Sequence, residues 1–266
     1  MEIVLSIAGS DPSAGAGIQQ DLKTITAMGC YGATVITALT SQNTVGVQGM
    51  TAVSAELVRS QLCSVFDDLN VSAIKIGQIP TLEVAETIVR TLASHPAARG
   101  VPVVYDPVMV STSGRRLMEL DCMDYIKDML MERCTLVTPN LPEAEALLGG
   151  KLSSITDIDR GGHELSSRFR TAFLLKGGHA EVEEMVDRLF YADGTTRSFY
   201  SKRIHSSNLH GTGCTLSSAI AAALAQGLDL AKAVETGKSL VTQAITRGRN
   251  LHIGHGNGPL WTFDVR

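Results

Sequence analysis

Two hydrophobic patterns alternate along the chain and predict most of its secondary structure. Short, nearly continuous apolar runs are typical of buried strands, and longer stretches with apolar residues every three or four positions are typical of helices. The first pattern predicts strands over 3–8, 33–40, 73–77, 101–106, 136–138 and 172–176. The second pattern predicts helices over 18–28, 54–68, 81–94, 121–132, 142–148, 157–168, 212–226 and 229–247.

Three segments follow neither pattern. Residues 45–50 are β-prone and punctuated by glycine, which favours either a flap or a short hairpin at the edge of a sheet. Residues 186–200 predict a hairpin with an Asp-Gly pair at its turn. The tail after residue 247 is irregular, and we interpret His252 and His255 as part of a partly mobile end rather than as a metal site.

The alternation of strands and helices predicts an α/β fold in which helices cover both faces of a mainly parallel sheet. No linker, low-complexity stretch or fixed-period repeat divides the chain, so we expect a single domain over 1–266. Ligands of such sheets bind beyond the carboxyl ends of the strands. Polar and glycine-rich segments follow those ends and would meet in one cleft: Gly9–Gly17, Gln42, Asn43, Gly77, Asp106, Pro107, Asn140 and Lys176–Gly178.

A glycine-flanked turn, His210 to Gly213, leads into the alanine-rich helix predicted over 212–226. Glycines allow a ligand to approach the main chain, and the first N–H groups of a helix have no partners within it. Because the helix dipole adds partial positive charge, the turn is a candidate anion-binding site. Cys214 lies at this helix start, where we expect a lowered pKa and an accessible thiolate. Taken alone, the pattern is equally compatible with a tight turn before a buried helix, with Cys214 in the core.

Four polar residues near strand ends suit the chemistry of phosphate and magnesium. Asp106 and Glu143 offer carboxylates to Mg²⁺, and Lys176 offers a positive charge to a phosphate. Asn140 lies where a helix N-cap is expected, shortly before Pro142. Each of the four also has a structural interpretation: a turn aspartate, a favourable charge at a helix start, a solvated lysine or a helix cap.

Composition narrows the classes of partner. Apolar residues make up 44% of the chain and charged residues 19%, as in a globular protein with a sizeable core. A net charge of -4 and an aromatic content of 5% give no reason to expect nucleic acid or an anionic membrane. The five scattered cysteines form no Cys-x-x-Cys pair, which argues against a zinc site or a disulfide framework and favours a reducing cytosol. We expect neither a secretion leader nor a membrane span.

An anion hole, two carboxylates, a lysine and a candidate flap are together the groups that phosphoryl transfer requires. The sequence lacks the Gly-x-x-x-x-Gly-Lys-[Ser/Thr] loop, and the glycines at 15 and 17 lack the third glycine of the dinucleotide fingerprint. The residues therefore predict a phosphotransferase without a P-loop.

Seven motifs, spread over nearly the whole chain, resemble those of the ribokinase-like superfamily. Within it, the chain resembles the hydroxymethylpyrimidine/phosphomethylpyrimidine kinases of thiamine biosynthesis. The resemblance implies a three-layer α/β/α sandwich with a mainly parallel central sheet and a small β flap. The motifs lie at residues 7–23, 35–44, 75–77, 106–109, 138–144, 176–179 and 210–215.

The resemblance implies a two-step reaction. The γ-phosphate of ATP passes to the hydroxymethyl group of 4-amino-5-hydroxymethyl-2-methylpyrimidine, and a second ATP converts the monophosphate to the diphosphate. The resemblance also implies Mg²⁺, a homodimer and a cytoplasmic location, and it leaves a monovalent cation open. Because the alcohol must lose a proton and the monophosphate is largely ionised, we expect Cys214→Ala to impair the first step more than the second.

The resemblance further implies roles for individual residues. Cys214 matches the general base, a position filled by aspartate in most sugar kinases of the superfamily, beside the anion hole of Gly211, Thr212 and Gly213. Gln42 matches the residue that pairs with the aminopyrimidine edge, since its amide offers both a donor and an acceptor. The other roles are substrate binding by Gly9, Asp21 and Val108, ATP binding by Lys176, Asn140 and Asp106, and metal binding by Asp106 and Glu143.

Two positions depart from the family pattern. Leu209 stands where relatives often have a small polar residue, which puts the contacts just before the anion hole in doubt. Gln78-Ile79 stands where a methionine is common in the substrate wall, so the shape of the pocket is also in doubt.

Three other functions stay open. A pyridoxal kinase acts on a similarly flat ring with a hydroxymethyl group; Cys214 in place of aspartate favours the pyrimidine, although cysteine-bearing relatives use pyridoxal. The intact Asp106, Lys176 and Cys214 argue against a non-catalytic binding protein on the same fold. A sugar or nucleoside kinase fits Gln42 and Cys214 less well.

Overall fold

The computed structural model describes residues 1–111, 114–177 and 184–263. Helices and strands alternate in these ranges, as the hydrophobic pattern predicts. The strands are β1 (Ile3–Ser10), β2 (Tyr31–Asn43), β3 (Gly46–Ala52), β4 (Val71–Ile76), β5 (Val103–Tyr105), β6 (Leu136–Val137), β7 (Ala172–Leu175), β8 (Glu184–Phe190) and β9 (Thr196–Lys202). The helices are α1 (Gly17–Ala27), α2 (Ala55–Asp68), α3 (Leu82–Ser94), α4 (Leu120–Met129), α5 (Leu141–Leu148), α6 (Ile155–Phe169), α7 (Thr212–Ala225) and α8 (Leu230–Gly248).

These strands join one sheet in the order β3-β2-β1-β4-β5-β6-β7-β8-β9. The pairings from β2 to β7 are parallel, whereas β3, β8 and β9 add antiparallel edges. Leu5 of β1 lies opposite Ala33 of β2 and Ile74 of β4, which defines the register at the centre of the sheet. Because the parallel strands run the same way, their carboxyl ends line one edge.

Each face of the sheet is covered by its own set of helices. Successive strand side chains point to opposite faces. Leu5 and Ile7 pack with buried residues of α2 to α6, whereas Val4 packs with Ile25 of α1 and Ile220 of α7. Two apolar cores therefore enclose the sheet, and the predicted three-layer α/β/α fold with a mainly parallel sheet is confirmed.

Both predicted hairpins form at the edges. The segment at 45–50 lies largely within β3, which pairs with β2 in antiparallel register, so the edge hairpin is the correct interpretation. Strands β8 and β9 pair through a turn in which Gly194 has φ of 86°.

The tail after α8 is irregular, as predicted, but it is anchored to the turn between β2 and β3. The N–H groups of His255 and Gly256 donate to Thr44 Oγ1 at 3.1 and 3.2 Å, and Asn257 N–H donates to the Thr44 carbonyl at 2.8 Å. These bonds tie residues 255–257 of the irregular tail to the turn beside the cleft.

Two further observations concern the cysteines and the length of the helices. All five cysteines are free in the structure. In the ranges described above, no helix combines the length and the apolar character that crossing a membrane needs.

Candidate active site

A cleft of about 800 Å³ opens at the carboxyl edge of the parallel strands, where the sequence predicts it. Its walls come from both ends of the chain, because the β1 loop and the start of α7 meet there. All but one of the predicted site residues line it: Gly9, Gln42, Asp106, Val108, Asn140, Glu143, Lys176, Gly211, Thr212, Gly213 and Cys214.

The start of α7 is built from backbone rather than from side chains. Gly211 is the N-cap residue with φ of 86°, and no side chain caps the helix. A Cβ at Gly211 would overlap the carbonyl oxygen of Gly15, so only glycine fits. The Thr212 N–H donates to the Leu209 carbonyl at 3.3 Å, and the next two N–H groups, those of Gly213 and Cys214, lie beside the cleft without a partner inside the helix, an arrangement that suits a phosphate.

An ion pair lies beside this helix start. Lys176 Nζ donates to Asp106 Oδ1 at 2.8 Å, and Thr138 Oγ1 donates to the same oxygen at 3.1 Å. A Cβ at Gly213 would lie 3.1 Å from Asp106 Oδ2 and 3.4 Å from Lys176 Nζ. The absence of a side chain at 213 therefore leaves space between the helix start and the ion pair.

A second carboxylate shares the same lysine. Glu143 Oε2 lies 4.0 Å from Lys176 Nζ. Burial raises the pKa of Glu143 to about 7, with Asp106 adding to the rise and Lys176 opposing it. When Glu143 is ionised, two carboxylates against one lysine leave surplus negative charge, which a divalent cation would neutralise.

This donor set fits Mg²⁺, which binds few carboxylates and completes its coordination with water and phosphate oxygens. Within the part of the chain that the structure describes, no three His, Cys, Asp or Glu side chains are grouped to hold a metal. Phosphate oxygens and water would therefore supply the remaining ligands beside Asp106 and Glu143.

Asn140 holds Glu143 in place through a capping box at the start of α5. Asn140 Oδ1 accepts from the Glu143 N–H, and Glu143 Oε2 accepts from the Asn140 N–H, both at 2.8 Å. Pro142 lies in the first turn, as predicted. The capping interpretation is therefore correct, and it positions the carboxylate that faces Lys176.

Cys214 has a raised pKa, so the expectation of an accessible thiolate is wrong. Burial raises the pKa of the thiol to about 11, although Lys75 and the Gly17 N–H lower it. The carboxylates of Asp21 and Asp106 add to the rise. Loss of water around the sulfur thus outweighs the helix start and the nearby ammonium, and Cys214 is a thiol at neutral pH.

Asp21 lies beneath the cleft and not in its wall. Lys75 Nζ lies 2.8 Å from Asp21 Oδ2 and 3.0 Å from Oδ1, and both side chains are fully buried. The hydroxyls of Ser6 and Ser218 donate to the same carboxylate at 2.6 and 2.8 Å. Because protein donors occupy both oxygens, the expectation that Asp21 binds substrate is corrected: Asp21 holds Lys75, which does line the cleft.

The sequence reasoning missed a cluster around His210. His210 Nε2 lies 2.9 Å from Asp11 Oδ2 and 3.1 Å from Gln42 Nε2. Asp11 and His210 are almost completely buried. The position of His210 directly before the glycine turn indicates a candidate site residue, but nothing in the local sequence predicts its contact with Asp11.

Other cleft residues had no predicted role, among them Gln78, Leu209 and Lys238. Lys238 Nζ donates to Asp187 Oδ2 at 2.6 Å, and Asp187 Oδ1 accepts from the Gly177 N–H at 2.9 Å. This network ties α8 and β8 to the residue that follows Lys176. The predicted polar segment continues to Gly178 and the motif to His179, and both of these residues lie outside the described residues.

We expect Gly211→Ala to abolish the anion hole, since its methyl group needs space that the Gly15 carbonyl holds. Gly227→Ala is the matched control, because Gly227 has φ of 83° and nothing within 4 Å of a new Cβ. The control should lose about 1–2 kcal/mol of unfolding free energy from its backbone conformation alone. Gly211→Ala should lose more, and its phosphotransfer rate should fall at least about 100-fold. Urea unfolding and steady-state kinetics measure both quantities; equal rates in the two variants would contradict the role of the helix start.

Alkylation of Cys214 by iodoacetamide should be slow at pH 7, because only the thiolate reacts and the raised pKa keeps the thiol protonated. The rate should rise with pH and level off near pH 11. Mass spectrometry of the peptide that carries Cys214 separates it from the remaining cysteines. A rate that levels off near pH 7 would support the lowered pKa expected from the helix start.

Known proteins resemble this chain in sequence over nearly its whole length. The family described as phosphomethylpyrimidine kinase matches residues 11–261. The hydroxymethylpyrimidine/phosphomethylpyrimidine kinase of Rhizobium meliloti is 44% identical over 262 residues, which cover 98% of this chain and 97% of that protein.

Solved structures agree with the fold. Phosphomethylpyrimidine kinase from Clostridium difficile is 37% identical, with a TM-score of 0.80 over 92% of this chain and 100% of that chain. Pyridoxal kinase from Staphylococcus aureus, in complex with AMP-PCP and pyridoxal, is 30% identical, with a TM-score of 0.86 over 98% of this chain and 93% of that chain. By the extent and identity of these matches, the chain belongs to the phosphomethylpyrimidine kinase family.

Proposed function

We propose that this protein transfers the γ-phosphate of ATP to the hydroxymethyl group of 4-amino-5-hydroxymethyl-2-methylpyrimidine, and then phosphorylates the monophosphate to the diphosphate for thiamine biosynthesis. The observation that carries the proposal is the uncapped start of α7 beside the Lys176–Asp106 ion pair, with Gly213 between them. Membership of a family named for phosphomethylpyrimidine kinase supports the choice of substrate.

Neutralisation of phosphate charge is the first task of the site. The first N–H groups of α7 and the Lys176 ammonium face the same space, and both stabilise negative oxygens during phosphoryl transfer. Burial lowers the pKa of Lys176, but Asp106 and Glu143 outweigh it, so the pKa lies above its usual value. Lys176 therefore keeps its positive charge at neutral pH.

Asp106 and Glu143 are the residues that would hold Mg²⁺, with Asn140 fixing the position of Glu143. When bound, Mg²⁺ supplies further positive charge to the phosphate oxygens of ATP. We assign Lys176, Asn140 and Asp106 to the ATP side of the cleft; a structural relative, the pyridoxal kinase, is solved with AMP-PCP.

The acceptor ring has its own wall. Gln42 offers a donor and an acceptor to the aminopyrimidine edge. Gly9 and Val108 line the same cleft, and the absence of a Cβ at Gly9 makes room for the Gln78 side chain, whose Oε1 a Cβ would overlap. We assign Gly9 and Val108 to contacts with the ring faces.

Cys214 is proposed to accept the proton of the alcohol. Its raised pKa makes the thiolate scarce at neutral pH but strongly basic once formed. Because the transition state of phosphoryl transfer is loose, little proton transfer is needed before the oxygen attacks. We therefore expect the base to contribute less than the anion hole.

Other parts of the proposal rest on the sequence pattern and on family resemblance. They are a single kinase domain over residues 1–266, a homodimer, a cytoplasmic location and an optional monovalent cation. They stay predictions.

Product analysis with two alternative acceptors tests the proposal. The protein is incubated with ATP, Mg²⁺ and either the hydroxymethylpyrimidine or pyridoxal, and chromatography separates mono- and diphosphates. We expect diphosphate from the pyrimidine and little turnover of pyridoxal. Pyridoxal is the second candidate because a pyridoxal kinase matches the fold with a TM-score of 0.86. Efficient pyridoxal phosphorylation without any diphosphate would contradict the pyrimidine assignment, and no turnover of either ring would contradict both ring assignments.

Cys214→Ala separates the two steps. We expect kcat for the hydroxymethylpyrimidine to fall about tenfold and kcat for the monophosphate to fall less than about threefold, because only the alcohol must be deprotonated and a loose transition state needs little proton transfer. Cys63→Ala is the matched control, since Cys63 lies on α2 and does not line the cleft. Equal losses in both steps would favour a positioning role for Cys214.

A further inference from the structure

The hydrogen bonds around Gln42 have a limited number of consistent assignments. His210 Nε2 lies 2.9 Å from Asp11 Oδ2 and 3.1 Å from the Gln42 amide, at Nε2. The other amide atom, Oε1, lies 3.3 Å from Thr40 Oγ1, which is also 2.9 Å from the carbonyl oxygen of Ser10. A ring nitrogen either carries one hydrogen or accepts one, and a hydroxyl has one hydrogen to donate.

Asp11 decides which form His210 Nε2 takes. Burial raises the pKa of Asp11, but hydrogen bonds from His210 and Ser13 outweigh it, so the pKa lies below its usual value. The carboxylate also accepts from the N–H groups of Gly15 and Ala16 at 3.2 and 2.9 Å. An ionised carboxylate only accepts hydrogen bonds, so the Nε2 atom that faces it carries a hydrogen.

A protonated Nε2 cannot accept a hydrogen from the amide nitrogen of Gln42. When the amide is turned by 180° about its last bond, Oε1 faces His210 and accepts from the same N–H. The amide nitrogen then donates to Thr40 Oγ1, and the Thr40 hydrogen is left for the Ser10 carbonyl. The opposite orientation sets two donors, the Nε2 hydrogen of His210 and the Gln42 amide nitrogen, against each other, whereas in this one the Nε2 hydrogen is shared between Asp11 Oδ2 and Gln42 Oε1. The oxygen and nitrogen of an amide are assigned from their hydrogen-bond partners, which here are the His210 N–H and the Thr40 hydroxyl.

We propose that His210, held by Asp11, is a positioning residue that sets which way the Gln42 amide faces and thereby the orientation in which the pyrimidine ring enters the cleft. After bonding to His210 and Thr40, Gln42 retains one acceptor site on Oε1 and one hydrogen on Nε2. The amino group and the adjacent ring nitrogen of the substrate need that pair in a fixed order. The inference rests on the proposed pairing of Gln42 with the aminopyrimidine.

The order matters because the ring is asymmetric. The hydroxymethyl group lies on one side of the amino group, and the paired ring nitrogen lies on the other side. If the amide oxygen and nitrogen exchanged places, the ring would have to turn over, which would carry the hydroxymethyl group away from the start of α7. His210 directly precedes Gly211, and its N–H donates to the Gly258 carbonyl at 3.1 Å. One segment therefore holds both the group that orients the ring and the anion hole.

The protonation of His210 is directly measurable. Long-range ¹H–¹⁵N NMR spectra distinguish a ring nitrogen that carries hydrogen from one that does not, and a His210→Gln variant identifies the His210 signals among the seven histidines. We expect Nε2 of His210 to carry hydrogen in the wild-type protein. A bare Nε2 would overturn the proposal. This measurement is independent of activity, so it stands even if the pyrimidine proves not to be the substrate.

Kinetics test the consequence with two variants. His210→Leu removes the donor and keeps apolar bulk, whereas His210→Gln places an amide N–H near the position of Nε2. We expect Leu to raise KM for the hydroxymethylpyrimidine about tenfold and to lower kcat, and Gln to restore KM to within about threefold. KM for pyridoxal, which lacks the amino edge, should change much less in both variants.

The same KM for the pyrimidine in wild type, Leu and Gln variants would overturn the positioning role. Circular dichroism checks that the Leu variant is folded; if it is not, the NMR result on the wild-type protein decides. If the wild-type protein phosphorylates neither ring while Nε2 carries hydrogen, the proposed function fails and the hydrogen-bond assignment stands.

Discussion

The buried ion pair of Lys75 and Asp21 is the interaction on which the cleft depends. It joins β4 to α1, and its carboxylate also receives hydrogen bonds from Ser6 of β1 and Ser218 of α7. Removing one partner of such a pair lowers the free energy of unfolding by about 3–5 kcal/mol, because the other charge stays buried without a partner. Since Ser218 lies one helical turn after Cys214, the ion pair holds the start of α7 against the sheet from below. The anion hole is thus placed by a buried ion pair at the base of the cleft.

Burial is the main reason why the Cys214 thiol stays protonated, and the carboxylates around it add to the effect. Two lysines, Lys75 and Lys176, lie close to three carboxylates, those of Asp21, Asp106 and Glu143. A thiolate would add negative charge to a group that already has a surplus, in a place where little water screens it. A neutral thiol is the state that this balance of charges favours. The same surplus makes the cleft receptive to a cation that arrives with the phosphates.

Much of the fold and of the cleft follows from local sequence, and the exceptions share a cause. Hydrophobic periodicity predicts the strands, and because parallel strands end at one edge, Asp106 and Lys176 were correctly expected to meet. Burial depends on residues that are distant in the sequence, so a local pattern does not reveal it. For this reason the role expected for Asp21 and the lowered pKa expected for Cys214 were wrong. The contact between Asp11 and His210 spans 199 positions, and no periodic pattern signals it.

The close fit of Gly211 against Gly15 bears on how the protein is made. Ribosomes add about 5–20 residues per second, so the loop at 11–16 emerges roughly 10–40 s before the turn that completes it. During that interval β1, β2 and β4 can pair, because their partners have already left the ribosome. The nascent chain therefore exposes the loop at 11–16 before the turn at Gly211 has been synthesised to cover it, and the loop can meanwhile bind anions or chaperones. A product truncated before α7 would retain all nine described strands of the sheet and yet lack the anion hole.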